Sequence, residues 1–204
     1  MTTFLRAMVL SAFIVVSCAA RADDAAPDAL VKSTVDDVLT VIKQNKDKSA
    51  LRQLAEKKVV PHFDFSAMTR LAVGRTWRDA TPDQQQALER EFRALLVNTY
   101  TTALSLSSTA PNTTVEVKPL PANANANASD VTVKTVVTQP GKPPVPIDYR
   151  LAHAAGGRKV YDVIVDYVSL VTNYRGSFQA EVERSGIDGL IKALAEKNRA
   201  VAKG

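Results

Sequence analysis

Between Lys159 and Phe178 the spacing of apolar residues changes from that of a strand to that of a helix. Tyr161, Val163, Val165 and Tyr167 fall on one side, with the charges of Asp162 and Asp166 on the other, the period of two of a strand with one buried face. From Leu170 the apolar positions are Leu170, Val171, Tyr174, Phe178 and Val182, spaced by three and four as on one side of a helix. The pattern predicts a last strand that runs directly into a helix and delivers that helix against its own sheet.

Upstream, the chain divides into helical and then strand-like patterns. Leu30, Thr34, Val35, Val38, Leu39 and Ile42 form one helical stripe. After a polar turn over Gln44 to Ser49, Leu51, Leu54, Ala55 and Val59 start a second helix that Pro61 ends. Asp64 is placed to cap a short helix with Met68, Leu71 and Ala72 inward and Gly74 at its C-terminus. Thr81-Pro82-Asp83-Gln84 supplies an N-cap, a proline at the first helical position and a capping-box glutamine. The long helix that follows carries Leu88, Phe92, Leu95, Leu96, Tyr100, Ala103 and Leu104. After Pro111 the period falls to two around Val115, Val131 to Val137 and Val145 to Leu151. The connections, among them an Asn-Ala repeat between Pro119 and Ala128, are short enough for an antiparallel meander. A final helix uses Ile187, Leu190, Ile191 and Leu194, and a basic tail runs from Lys197 to Lys203. The predicted class is α+β: helices over 28–109, a curled, mainly antiparallel sheet of four or more strands over 113–167, and helices over 168–202 that cover its apolar face.

At 204 residues the chain is long enough to bury a sizeable core as a single domain over 23–204. Its first apolar run, Ala7 to Ala20, is too short to span a bilayer. It follows Arg6 and precedes Ala20-Arg21-Ala22, the small-x-small form of a signal-peptidase site. Residues 1–22 read as a signal peptide cut after Ala22, which makes the protein exported. A competing reading takes Val15-Val16-Ser17-Cys18 as a loose lipoprotein box with Cys18 lipidated. Cys18 is the only cysteine, so the mature chain from Asp23 has no thiol chemistry. Cleavage removes Arg6 and Arg21 and takes the formal charge from +5 to +3, with 24 basic against 21 acidic residues. A mild positive balance suits anionic membrane surfaces or an ordinary solvated one.

Motifs for chemistry are few. The two histidines, His62 and His153, belong to no His-Glu-x-x-His, and the chain has no cysteine ligand set, Gly-x-Ser-x-Gly turn or glycine-rich phosphate loop. No metal or cofactor is expected. His62 and the pair Asp162 and Asp166 are the candidates for acid/base work; against that, His62 reads as a half-exposed linker residue and the aspartates as facing water on an alternating strand. The basic residues do not interleave with aromatics as on a nucleic-acid-binding sheet.

Several segments together resemble a known family. Asp64-Phe65-x-x-Met68-Thr69-Arg70 with Gly74-Arg75-x-Trp77-Arg78 comes first, then a helix with Phe92 and Tyr100. Val160-Tyr161-Asp162-Val163, Val168-Ser169-Leu170-Val171-x-Asn173-Tyr174-Arg175-x-x-Phe178 and Gly186-x-x-Gly189-Leu190-Ile191-x-x-Leu194 follow in order. The set is similar to the MlaC, or toluene-tolerance, family of periplasmic carriers that shuttle phospholipid between the outer and inner membranes of Gram-negative bacteria. This chain departs from the family pattern in having Arg158 where a tryptophan is usual and Asp166-Tyr167 where Glu-Gly is usual.

The resemblance implies a sheet wrapped by helices around an apolar lipid cavity and a non-enzymatic role in outer-membrane lipid asymmetry. Its partners would be phospholipid, an inner-membrane ABC-type transporter with its substrate-binding subunit, and an outer-membrane lipoprotein–porin complex. Expected contacts for the lipid tails are Met68, Leu71, Trp77, Phe92, Leu96, Tyr100, Tyr149, Leu151, Tyr161, Val163, Val165, Tyr174 and Phe178, with Arg75 and Arg175 for the headgroup. Each apolar position in that set has a plain alternative as protein-on-protein packing, and each arginine as a surface residue. A hopanoid or other lipid carrier is a second functional reading, and a periplasmic hydrolase using His62 or Asp162 is a third.

Overall fold

A computed structural model describes residues 26–44, 48–107, 112–121 and 128–203. The expected signal peptide at 1–22, with Cys18, and most of the Asn-Ala repeat lie outside the described residues. Helix α1 (Pro27–Gln44) and the short α2 (Lys48–Leu54) come first, followed by a wide turn of helix at Ala55–Val59 and a tight one at Val60–His62. Helix α3 (Phe65–Val73) is capped as expected: the Asp64 carboxylate accepts the Ala67 N–H at 2.8 Å, and Gly74 closes the helix at φ 71°. Helix α4 (Pro82–Ser107) begins at the predicted capping box. The Thr81 N–H donates to the Gln84 side chain at 3.0 Å, and the Gln84 N–H donates to the Thr81 hydroxyl at 3.3 Å.

The sheet is a five-stranded antiparallel meander, β1 (Thr114–Val117), β2 (Asp130–Thr138), β3 (Val145–Ala154), β4 (Gly157–Val165) and β5 (Val168–Ser169). The α+β class is as predicted. The fifth strand has two residues, too few for any period. Helix α5 (Leu170–Lys203) follows at once and bends at Gly186 (φ 72°, ψ −178°), which divides it into the two C-terminal helices expected. Phe63 bridges Val160 in parallel, and the Asp64 N–H donates to the Val160 carbonyl at 2.8 Å, so the helical half is tied directly to β4.

Two readings of β4 are corrected. The register runs Tyr149 with Val163 and Arg150 with Asp162, then Leu151 with Val160, leaving Tyr161 as the extra residue of a β-bulge. The bulge shifts the alternation by one residue, so Val160, and not Tyr161, shares a face with Val163 and Val165. Tyr161 instead donates to the Asp130 carboxylate, with the Arg150 guanidinium 4.9 Å from its ring centroid. Tyr167 is not on the strand at all: it sits in the β4–β5 turn and is 86% exposed.

Asp162 does not face water. It is 2% exposed and accepts the Ser169 hydroxyl at 2.9 and 2.8 Å on its two oxygens, with the Val171 N–H 3.4 Å away. The Ser169 oxygen in turn accepts the Thr172 N–H at 3.0 Å. These bonds satisfy N–H groups that a helix start leaves open, so Asp162 joins β4 to the first turn of α5.

Apolar packing falls into two clusters. Met68, Leu88, Phe92, Leu95, Val171, Phe178, Leu190 and Leu194 bury one face each of α3, α4 and α5. Within it Phe92 meets Tyr174 and Phe178 edge-on, with ring centroids 5.1 and 5.3 Å apart, contacts worth about 0.5 to 1.5 kcal/mol each beyond their buried area. The second cluster is smaller and lies on the sheet: Val133, Leu151, Val160 and Val163, with Val31 of α1.

Candidate functional site

Between these clusters lies a cavity of about 440 Å³, partly open to solvent and within the ~300–1,000 Å³ range of ligand pockets. Helix α1 supplies Leu30, Val31, Thr34, Val35, Val38 and Leu39, the face its apolar stripe defines. The sheet supplies Val115 of β1, Val137 of β2, Ile147 and Tyr149 of β3, and Val160, Val163 and Val165 of β4. Helix α4 adds Leu96, Val97, Tyr100 and Thr101, and Val59 to Met68 contribute Val60, His62, Phe63 and Phe65 with them.

The lining is predominantly apolar. Among the described residues, none of those that line the cavity is an Asp, Glu, Lys or Arg. Its threonines on helices are already bonded within their own helix: Thr34 donates to the Leu30 carbonyl at 2.9 Å and Thr101 to the Val97 carbonyl at 2.7 Å. Burial pushes the phenols of Tyr100 and Tyr149 up to about 12, for Tyr100 with help from nearby Tyr174 and for Tyr149 against the opposing effect of the Thr135 hydroxyl. Both therefore carry their protons at neutral pH and offer hydroxyls, not charge.

Of the expected tail contacts, Met68, Leu96, Tyr100, Tyr149, Val163 and Val165 line this cavity. The others lie elsewhere. Phe92 and Phe178 are buried in the helical cluster, with Leu71, Trp77 and Tyr174 packed against it; Leu151 is sealed in the sheet cluster, and Tyr161 bonds Asp130 away from the cavity. Neither arginine expected at a headgroup is part of the lining. Arg175 donates from Nε and Nη2 to the Leu71 carbonyl at 3.1 and 2.8 Å, closing the C-terminal end of α3, and Arg75 is exposed.

Sequence reasoning missed the contribution of α1, although its stripe was plain, and read His62 as a linker residue, whereas it lines the cavity. It missed Ile147, Val137 and Val115, which alternation alone would have added. His62 and Asp162 do not meet across the site, because Asp162 is not in the lining and its oxygens are occupied. Among the described residues no group of three or more His, Cys, Asp or Glu is placed to hold a metal ion, and no helix is long and apolar enough to cross a membrane.

Comparison with known proteins places this architecture in context. The family described as MlaC protein matches residues 32–196. A solved structure of the phospholipid-binding protein from Ralstonia solanacearum, in complex with a phospholipid, superposes with a TM-score of 0.75. That protein is 38% identical, and the match covers 86% of this chain and 98% of the other. The toluene tolerance protein ttg2D of Pseudomonas putida is 26% identical over 187 residues, 89% of this chain and 82% of the relative.

Proposed function

Because the chain belongs to the MlaC family, we propose that it is a periplasmic phospholipid carrier that encloses acyl chains in the cavity and moves them between the outer and inner membranes. The observation that carries this reading is an apolar cavity with no Asp, Glu, Lys or Arg in its described lining. Exposing a few dozen lipid methylenes to water costs ~0.8 kcal/mol each, tens of kcal/mol in all, so acyl chains must travel enclosed. The phosphate has the opposite need. Burial without a partner would be costly, and the described lining offers it no Lys or Arg, so the headgroup remains in water at the mouth while the tails lie inside.

Met68, Leu96, Tyr100, Tyr149, Val163 and Val165 are the tail contacts in this scheme, together with the α1 face from Leu30 to Leu39. A carrier of this kind is loaded and emptied by membrane complexes: an inner-membrane ABC-type transporter with its substrate-binding subunit on one side, and an outer-membrane lipoprotein–porin complex on the other. Signal-peptide cleavage after Ala22 brings the mature chain to the periplasm. No cofactor is needed, since no bond in the cargo changes.

The test is native mass spectrometry of the mature protein purified from cells, followed by lipid extraction. The expected result is intact diacyl phospholipid at near-stoichiometric amounts. A hopanoid in the extract would change the cargo. Only water-soluble ligands, or steady production of lysolipid or free fatty acid, would overturn the carrier reading.

A further inference from the structure

The cavity-side face of the sheet does not stop at the cavity. Ile147 and Val165 are part of the lining, and the same face continues outward from them: Val145 lies two residues before Ile147 on β3, and Val168 is the partner of Val165 on β5. Yet Val145 and Val168 are 37% and 54% exposed, and between Val165 and Val168 the turn presents Tyr167 at 86%. These three are the large hydrophobic side chains left exposed among the described residues. They form one corner, where the cavity's apolar surface runs out into solvent.

The turn itself is unusual in its residues. Asp166 and Tyr167 have φ of 48° and 66°, consecutive positive values of the kind found in tight hairpin turns, for which Asn-Gly is the favoured pair. Glycine takes this conformation without steric cost, and a bulky aromatic there is an outlier. At 86% exposure, burial does not explain the presence of Tyr167 at a position that costs conformational energy.

We propose that this corner, Tyr167 with Val168 and Val145, is a membrane-docking tip that dips into the headgroup region of a phospholipid bilayer beside the cavity. The inference rests on the carrier reading. A tyrosine combines an apolar ring with a polar hydroxyl, which favours the membrane–water interface. Three side chains are far too few for a stable protein interface, which needs about 800 Å² from each partner, but suit a brief contact with a fluid surface. The exposed charges nearest to the tip in sequence are Lys142 and Asp166, one of each sign, so the apolar side chains drive the contact and an anionic surface is not required. Docking here sets the bilayer surface against the apolar face that continues through Ile147 and Val165 into the cavity.

The test uses the full mature protein and vesicles of brominated phosphatidylcholine. In Tyr167→Trp the new indole should be quenched by the bromines beyond any change in wild type, whose Trp77 is packed against the helical cluster. In Tyr167→Gly, vesicle partitioning should fall roughly fivefold or more while Tm holds or rises and bound lipid is unchanged. Absence of extra quenching in Tyr167→Trp, or wild-type partitioning of Tyr167→Gly, overturns the tip. The carrier reading is judged separately: purified wild type without lipid would defeat it whatever the quenching shows.

Discussion

Val163→Trp separates a cavity wall from a filled core. Val163 is 8% exposed, packs beside Val133, Leu151 and Val160, and also lines the cavity, so its neighbours alone do not decide what an added ring would meet. Indole in place of the isopropyl group adds on the order of 100 Å³ of side chain. In a core at interior density that volume forces strained rotamers and backbone shifts at a cost of roughly 1 to 3 kcal/mol. In a cavity of about 440 Å³ it has room, and the lipid-free protein should be as stable as wild type or more so.

The lipid bears the loss instead. The ring takes the place of about four methylenes, which at ~0.8 kcal/mol each is about 3 kcal/mol, or roughly a hundredfold in affinity. Wild type should also lose stability on delipidation, by about 2.7 kcal/mol if lipid had been present at ~100 times its Kd, because a ligand of the folded state alone stabilises by mass action. Thermal unfolding of both proteins, each with and without lipid, reads all of these quantities. A mutant that is strongly destabilised in both states and still holds its full lipid would place Val163 in the core and refute the assignment of β4 as a cavity wall.

Two further outcomes follow from the contacts described. Arg175→Met removes two hydrogen bonds to the Leu71 carbonyl and should cost about 1 to 3 kcal/mol in denaturant unfolding without lowering bound lipid; a loss of lipid at unchanged stability would return Arg175 to a headgroup role. The phenols of Tyr100 and Tyr149, pushed up to about 12, stay protonated in the folded state while an unfolded chain ionises them near pH 10. Their contribution is therefore constant below about pH 10 and is lost as pH rises to about 12, up to roughly 2 kcal/mol for the deeply buried Tyr149 and well under that for Tyr100, which solvent partly screens. A tyrosinate absorbance step near pH 10, with the fold still intact, that is lost in Tyr100→Phe or Tyr149→Phe would contradict this.

How much of the molecule the sequence reveals depends on how local each determinant is. The caps of α3 and α4 depend on residues within one turn of each other, and Asp64 and Thr81-Pro82-Asp83-Gln84 are legible at sight. Strand alternation is legible too, until the bulge at Tyr161: Val160 and Tyr161 are both apolar, so nothing in the pattern says which one turns inward. Asp162 is misread because Ser169, its partner, is brought to it by a turn and a two-residue strand that leave no periodic trace. The cavity is harder still. An apolar face looks the same whether it meets a lipid or another helix, so Phe92, Tyr174 and Phe178 are as plausible in the sequence as Val163 and Val165, and only the placement of α1 and α4 over the sheet tells them apart.

That placement has a consequence for a carrier, which must survive both loaded and empty. The helical cluster is closed by its own side chains: Phe92, Tyr174 and Phe178 pack on one another, and only Met68 and Leu96 of its buried residues also line the cavity. Its contribution to stability is thus nearly independent of cargo. The sheet cluster is different, since Val31, Val160 and Val163, three of its five buried residues, also line the cavity, and α1 is held against the sheet across the same space the acyl chains would fill. For the proposed carrier, dividing the apolar surface in this way would let one half keep the chain folded while the other exchanged its contents. A single continuous core would tie release of cargo to unfolding, and interior packing of ordinary density would leave no volume to carry.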